Sequence, residues 1–467
     1  MSEPALSLAD LPAIELSAAY ATGTLSPVDV MQAVLDRVDA WEGAIAATYA
    51  LDPEGALATA REAESRWRTG TALGPLDGVP VTVKEMIATK GVPKPMGTAA
   101  SILVPEPEDA PPAARLREAG AVIFAKTTAP DFGMLSSGLS SLHPLTRNPW
   151  ALDCNPGGSS AGAGAAAAAG YGPLHIGTDI GGSVRLPAGW CGIFGFKPSN
   201  GRIPIDPPYM GRCAGPMTRT VADAALMMTA LSLPDARDFT SLPPQQIDWM
   251  DLSGDVKGLR IGLMIDAGAG SPVEPEVRAA IERAGAIFAA GGADVVPVAP
   301  YLTEELFEGF DTFFRARFWA ETKDLPRDRY ERILPYIREW VEPGANIGGL
   351  ALYEGYKALQ TMREIGVRFS QRFDYVLSPV APMPAFPAEL PGPSNDPARP
   401  FDHIAYTMPL NMTEQPAASI NCGYTAGGLP IGLQIAGARF DDLGVLRVAQ
   451  WFETARDEQR PWPLPRA

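Results

Sequence analysis

The order of segments in this chain predicts an α/β protein, a sheet covered by helices on both faces. Three observations carry the prediction. Short apolar, β-rich runs alternate with helical stretches along most of the chain, the pattern of layered α/β architectures. At 467 residues the chain is long enough to bury a large core. Its 46% hydrophobic and 20% charged content is that of an ordinary globular protein.

Taken in order, residues 7–70 read as helical. Ser26-Pro27 forms an N-cap with proline at the first helical position, followed by Val30, Ala33, Val34 and Val38 at helical spacing. Val79–Val83 is a strand ending at Lys84. Residues 113–119 form a helix stopped by Gly120, and 121–125 a buried strand. A helix opens at Ser159 and runs to Gly170. Leu174–Ile176 is a strand, and Thr220–Leu231 a helix with Asp223 in its first turn. Residues 259–265, 274–290 and 293–298 make strand, helix, strand; 375–378 and 431–436 add two strands. Leu242–Gly258 is polar and loop-like. Residues 303–362 are helical and aromatic-rich, with Phe307, Phe310, Phe314 and Phe318 on one face, chiefly a core face with some positions open to a pocket. Residues 379–400 form a proline-rich rim.

Composition excludes several function classes. A net charge of −16 disfavours nucleic-acid binding, which requires lysine and arginine patches. Cys154, Cys191, Cys213 and Cys422 are dispersed, with no CxxC pair, so buried free thiols in a reducing compartment are expected. Residues 1–22 show no secretory pattern, and the alanine-glycine stretch 161–170 is too short and weakly apolar to span a bilayer. The expectation is a cytoplasmic protein with no membrane partner. With only His143, His175 and His403, a histidine-rich metal site is hard to build, and no metal or cofactor is expected.

Two serine-bearing glycine loops stand out: Pro156-Gly157-Gly158-Ser159-Ser160-Ala161-Gly162 and Gly177-Thr178-Asp179-Ile180-Gly181-Gly182-Ser183-Val184-Arg185. Glycines let backbone N–H groups approach a ligand, and a hydroxyl among such donors suits acyl transfer. A serine hydroxyl needs a neighbour to take its proton. Lys84 closes an apolar strand, where burial would lower a lysine pKa from its usual ~10.4. Each residue has a plainer reading too: Lys84 as a surface lysine at a strand end, Ser159 as the N-cap of the following helix. A histidine-based triad is disfavoured, because His175 reads as core and no G-x-S-x-G elbow surrounds Ser183.

The two loops at a separation of 24 residues, with Lys84 upstream, resemble the amidase-signature hydrolases. The likeness runs from about Leu16 to Gly437, strongest in 78–87, 148–170, 177–197, 215–223 and 428–437. It implies one amidase-signature domain over 1–467 with a large twisted mixed sheet. Residues 1–70 would be the N-terminal helical part and 71–235 the catalytic core; 236–370 would be a variable substrate-facing region, and 371–467 would complete the core. It also implies a Ser-cisSer-Lys triad. Ser183 is the nucleophile, Ser159 (after a cis peptide) the relay and Lys84 the ultimate base, with the amides of Ile180, Gly181, Gly182 and Ser183 as oxyanion donors. Ser160 would support the loop, Asp179 and Arg185 would brace it as an ion pair, and Thr178 would hydrogen-bond the Ser159–Lys84 pair. Ala161 and Ile180 depart from the family's usual glycine and threonine, which bears on packing and pocket shape.

The expected pocket walls are 134–138, 203–212, the helix near Phe314 and 379–387, with Met134, Ser136, Gly138, Tyr209 and Phe314 touching substrate. These walls are mostly apolar, so an aryl or alkyl amide is expected, with carbamates or esters accepted by the same chemistry. The protein would act as a monomer or homodimer. The alternative function is an amidotransferase A-type subunit working with partner subunits, against which the acidic charge counts. A non-catalytic scaffold would have no need of all three of Lys84, Ser159 and Ser183.

Overall fold

The computed structural model describes residues 7–465; the ends of the 1–467 unit, 1–6 and 466–467, lie outside the described residues. Eleven strands form one mixed sheet: β1 (Thr48–Tyr49), β2 (Pro80–Lys84), β3 (Val122–Thr127), β4 (Leu174–Asp179), β5 (Phe194–Lys197), β6 (Cys213–Thr218), β7 (Arg260–Leu263), β8 (Asp294–Pro297), β9 (Tyr375–Pro379), β10 (Ala417–Tyr424) and β11 (Pro430–Ala436). Their spatial order is β1-β3-β2-β4-β6-β5-β10-β11-β9-β7-β8. β2 is parallel to both β3 and β4, and β7 to both β8 and β9; the other neighbours are antiparallel.

Helices cover both faces. Val81, Val83, Leu174 and Ile176 enter a core shared with the helices Ala13–Thr22, Val221–Leu231, Pro275–Ala290 and Asp442–Ala455. Met217 packs instead against the helices Ala161–Ala169 and Arg185–Cys191. The first of these is buried along its whole length, which its small residues allow: a Cβ on Gly162 would lie 2.2 Å from the Ala47 carbonyl oxygen. A second core gathers Phe310, Phe314 and Phe318 of the helix Glu304–Thr322 with Trp340 and Phe369. Phe310 and Phe314 lie 4.4 Å apart between ring centroids, and each such ring stabilises the fold by about 1.5–3 kcal/mol on burial.

The structure corrects several sequence expectations. β5, β6, β10 and the helix Arg185–Cys191 are not among the expected elements, and β1 interrupts the stretch 7–70 read as helical. β6 holds Gly215 and Pro216 yet lies inside the sheet, paired with β4 and β5; neighbouring strands on both sides override its poor propensity. The helix expected to open at Ser159 begins at Ala161, with Ser160 at the N-cap position and no side-chain capping bond. Within region 236–370 the expected strand-helix-strand is present as β7, the helix Pro275–Ala290 and β8, which extend the sheet.

Candidate active site

Sheet register builds the site. β2 and β4 run parallel with Val83 opposite Ile176, so their C-terminal ends bring Lys84 and Thr178 side by side, at the edge where open α/β sheets bind ligands. The Ser159 loop closes over this edge. Lys84 Nζ lies 2.8 Å from Ser159 Oγ and donates to Thr178 Oγ1 at 3.0 Å. The peptide between Gly158 and Ser159 is cis. Ser160 Oγ donates to the Thr178 carbonyl and accepts from the Thr178 N–H, tying the two loops together. Gly177 makes room for this, because a Cβ there would lie 2.5 Å from Ser160 Oγ.

Lys84 is fully buried. Burial pushes its ammonium pKa down to about 7, helped by the charge of Arg212 and opposed by Glu85 and Asp179. An amine held there is substantially neutral at physiological pH.

The second loop hangs on Asp179. Its carboxylate accepts from the Gly182 N–H (2.9 Å), the Val184 N–H (3.1 Å), Arg185 Nε (3.0 Å), Arg185 Nη2 (2.8 Å) and Asn411 Nδ2 (2.9 Å). Burial works to raise the Asp179 pKa, but Arg185 and Asn411 hold it below the usual carboxylate range. Arg185 also donates to the Thr407 carbonyl, Gln434 Oε1 and Asn411 Oδ1. Thr407 Oγ1 donates to the Gly181 carbonyl at 2.6 Å. Gly182 sits at φ +122°, where side chains are strained, and a Cβ would strike Thr407 Oγ1 at 2.4 Å.

Of the four amides expected as oxyanion donors, that of Gly182 is already engaged. The Gly182 N–H is committed to Asp179, and Gly182 does not line the cavity. The N–H groups of Ile180, Gly181 and Ser183 have no acceptor among the described residues, and all three residues line it. Ser183 shares the cavity with Ser159 and Thr178, but no hydrogen bond joins its hydroxyl to Ser159 among the described residues.

The cavity has a volume of about 380 Å³. Met134, Ser136, Tyr209 and Phe314 line it. Gly138 does not: it sits behind the wall, with its N–H on Asn155 Oδ1 and the Thr146 carbonyl filling the space of a Cβ. The wall expected from 379–387 does not line it; of the proline-rich rim 379–400 only Pro400 does, next to Phe401. Nor is the lining simply apolar, for it includes Lys94, Arg212, Arg317 and Glu321. No histidine lines it. His175 is locked between Thr82 Oγ1 and the Gly172 carbonyl with its pKa pushed down to about 3 by burial, His143 bonds Glu85, and His403 is buried against Trp190. Among the described residues no cluster of three or more His, Cys, Asp or Glu could hold a metal ion, and no helix is long and apolar enough to cross a membrane.

The amidase family model matches residues 29–446, most of the chain. The chain belongs to the amidase family. Among similar proteins, the glutamyl-tRNA(Gln) amidotransferase A subunit of Chloroflexus aggregans is 36% identical over 94% of this chain and 95% of its own. An acylamidase from Rhodococcus erythropolis is 34% identical over 97% and 96%. The solved structure of a bacterial aryl acylamidase of the amidase-signature enzymes superposes with a TM-score of 0.89 at 28% identity, covering 96% of each chain. The fold of this family member is therefore the amidase-signature α/β fold, and its buried lysine and paired serine loops stand in the stretch that the family model covers.

Asn411, Thr407 and Gln434 were not legible as site residues. Their elements lie more than 200 residues from the Asp179 loop in sequence; Thr407 and Asn411 fall outside the blocks of likeness, and Gln434, inside block 428–437, carries no local sign of a bond to Arg185.

Proposed function

We propose that the protein is an amidohydrolase that cleaves carbonyl C–N bonds of small amides through an acyl-enzyme on Ser183. The observation that carries this reading is Lys84: buried, 2.8 Å from Ser159 Oγ, with its pKa near 7. A neutral amine accepts the Ser159 proton as Ser159 takes the proton of Ser183, and Ser183 Oγ bonds to the substrate carbonyl carbon. The Ser183 hydroxyl must come within hydrogen-bond reach of Ser159 for this, and such contacts tighten in the substrate complex. The carbonyl oxygen becomes an oxyanion facing the unpaired N–H groups of Ile180, Gly181 and Ser183. As the C–N bond breaks, the amine leaves with a proton returned from Lys84 through Ser159. Water then attacks the ester by the same relay, freeing the acid and Ser183.

The similarity to aryl acylamidase and acylamidase, and the aromatic wall of Phe310, Phe314 and Phe401, support aryl or alkyl amides as substrates. Aryl carbamates and esters present the same carbonyl to Ser183 and are the expected side substrates. The test pairs Lys84→Ala and Ser183→Ala in folded protein with 4-nitroanilides, aryl carbamates and primary amides, measuring released amine. Near-normal turnover by either variant refutes the relay. Labelling by a fluorophosphonate should fall on Ser183.

The identity to glutamyl-tRNA(Gln) amidotransferase A subunits supports a second reading, in which the chain releases ammonia within a complex of partner subunits. Glutaminase activity of the isolated chain, with size-exclusion chromatography, separates the two: hydrolysis of anilides without partners favours the free-standing amidase.

A further inference from the structure

We propose that the cavity is built for an amide carrying a carboxylate remote from the bond that breaks, gripped by the guanidinium groups of Arg212 and Arg317. The proposal rests on the amidohydrolase reading and names its substrate class. The two arginines reach one cavity from separate elements. Arg212 immediately precedes β6, whose Cys213 pairs with Asp179 at the end of β4, so the register sets it beside the serine loops. Arg317 lies on the helix Glu304–Thr322.

Each guanidinium keeps donors that the fold does not use. The one side-chain hydrogen bond of Arg212 among the described residues goes from Nη1 to the Pro207 carbonyl at 2.7 Å, and no carboxylate among them lies within ion-pair distance of it. Arg317 gives Nε to Glu321 at 2.8 Å and lies 3.8 Å over the Tyr209 ring, which holds its plane; its Nη1 is buried without a partner. Lys94 is held by Glu106 at 3.8 Å, outside the lining. Glu321 is thus the one carboxylate set against three cationic side chains in the wall. Glu321 offsets one of these charges through Arg317 Nε, which leaves Arg212 without a carboxylate partner and Arg317 Nη1 without an acceptor among the described residues, and a substrate carboxylate fits the planar forks of arginine. The aromatic wall then takes the apolar body between this anion and the amide.

Two matched substrate pairs test the idea on the intact wild-type protein: glutaryl against hexanoyl 4-nitroanilide, with the carboxylate on the acyl side, and 4-acetamidobenzoate against 4-methylacetanilide, with it on the amine side. The acid of at least one pair should show kcat/KM about 10-fold or more above its neutral partner. Arg212→Met and Arg317→Met should each lower that acid-to-neutral ratio about fivefold or more. Arg317→Lys, which keeps charge but loses the fork, should restore only part of it. No preference for either acid, or a ratio unmoved in both methionine variants, overturns the proposal while hydrolysis of the neutral anilides leaves the amidase reading standing. If no anilide is cleaved, calorimetric titration with the same pairs decides. Tighter binding of an acid keeps the carboxylate site and the hydrolase reading falls; equal or weaker binding overturns the site as well.

Discussion

Replacing Arg185 by methionine removes the cation from the most densely bonded buried ion pair of the site. Both side chains of the Asp179–Arg185 pair are fully buried, and Arg185 meets the carboxylate with two nearly parallel N–H bonds of 3.0 and 2.8 Å. In Arg185→Met the Asp179 carboxylate stays buried with only neutral donors. Breaking such a pair from one side costs about 3–5 kcal/mol. The Thr407 carbonyl, Gln434 Oε1 and Asn411 Oδ1 also each lose a donor, so the upper end of that range is expected. The assay is urea unfolding followed by tryptophan fluorescence. Asp179→Asn combined with Arg185→Met leaves no charge behind, so the double variant should be less damaged than the sum of the single losses. The pH dependence supplies a second check. In wild type the Asp179 pKa lies below its unfolded value, so its contribution is intact above about pH 4. In Arg185→Met burial is unopposed by that cation and the folded pKa rises above the unfolded one. Protonation then favours the folded form, so the deficit relative to wild type should shrink from pH 8 to pH 5. A loss below about 1 kcal/mol, or a deficit independent of pH, would refute the argument.

Further outcomes follow from the same geometry. With Lys84 titrating near 7, kcat/KM for a neutral anilide should climb about tenfold per pH unit below that value and level off above it, because only the neutral amine accepts the Ser159 proton; a flat profile from pH 5 to 8 contradicts this. Ser159→Ala should lower kcat by about 10²–10⁴ with little change in the melting curve. Thr407→Val removes the hydroxyl that holds the Gly181 carbonyl at 2.6 Å, and should cut kcat about tenfold with KM nearly unchanged, measured by steady-state kinetics. Gly177→Ala forces a methyl group to within 2.5 Å of Ser160 Oγ and should lower stability by about 1–3 kcal/mol in the same urea assay.

The residues that gather around the cavity were legible wherever a local pattern carried them. Lys84 at the end of an apolar run, the two glycine-serine loops and the Asp179–Arg185 pair six residues apart are neighbours in sequence or in motif, so their type and spacing point to one site. The Phe310–Phe314–Phe318 face announced itself by helical period. Gly138 misled because a glycine in a loop beside the pocket can face either way, and here the Thr146 backbone occupies the position its side chain would need.

Local pattern, then, was enough for the α/β class, the serine loops and the lysine, since propensity, periodicity and motif spacing act over a few residues. The character of the cavity was decided only by the folded chain. Strand register sets Arg212 beside Asp179, a helix a hundred residues onward brings Arg317 across the same space, and Thr407 and Asn411 close the network from more than 200 residues away. Charge and hydrogen bonding act through space, and no spacing along a sequence states which distant groups the packing of a core will bring within three ångströms.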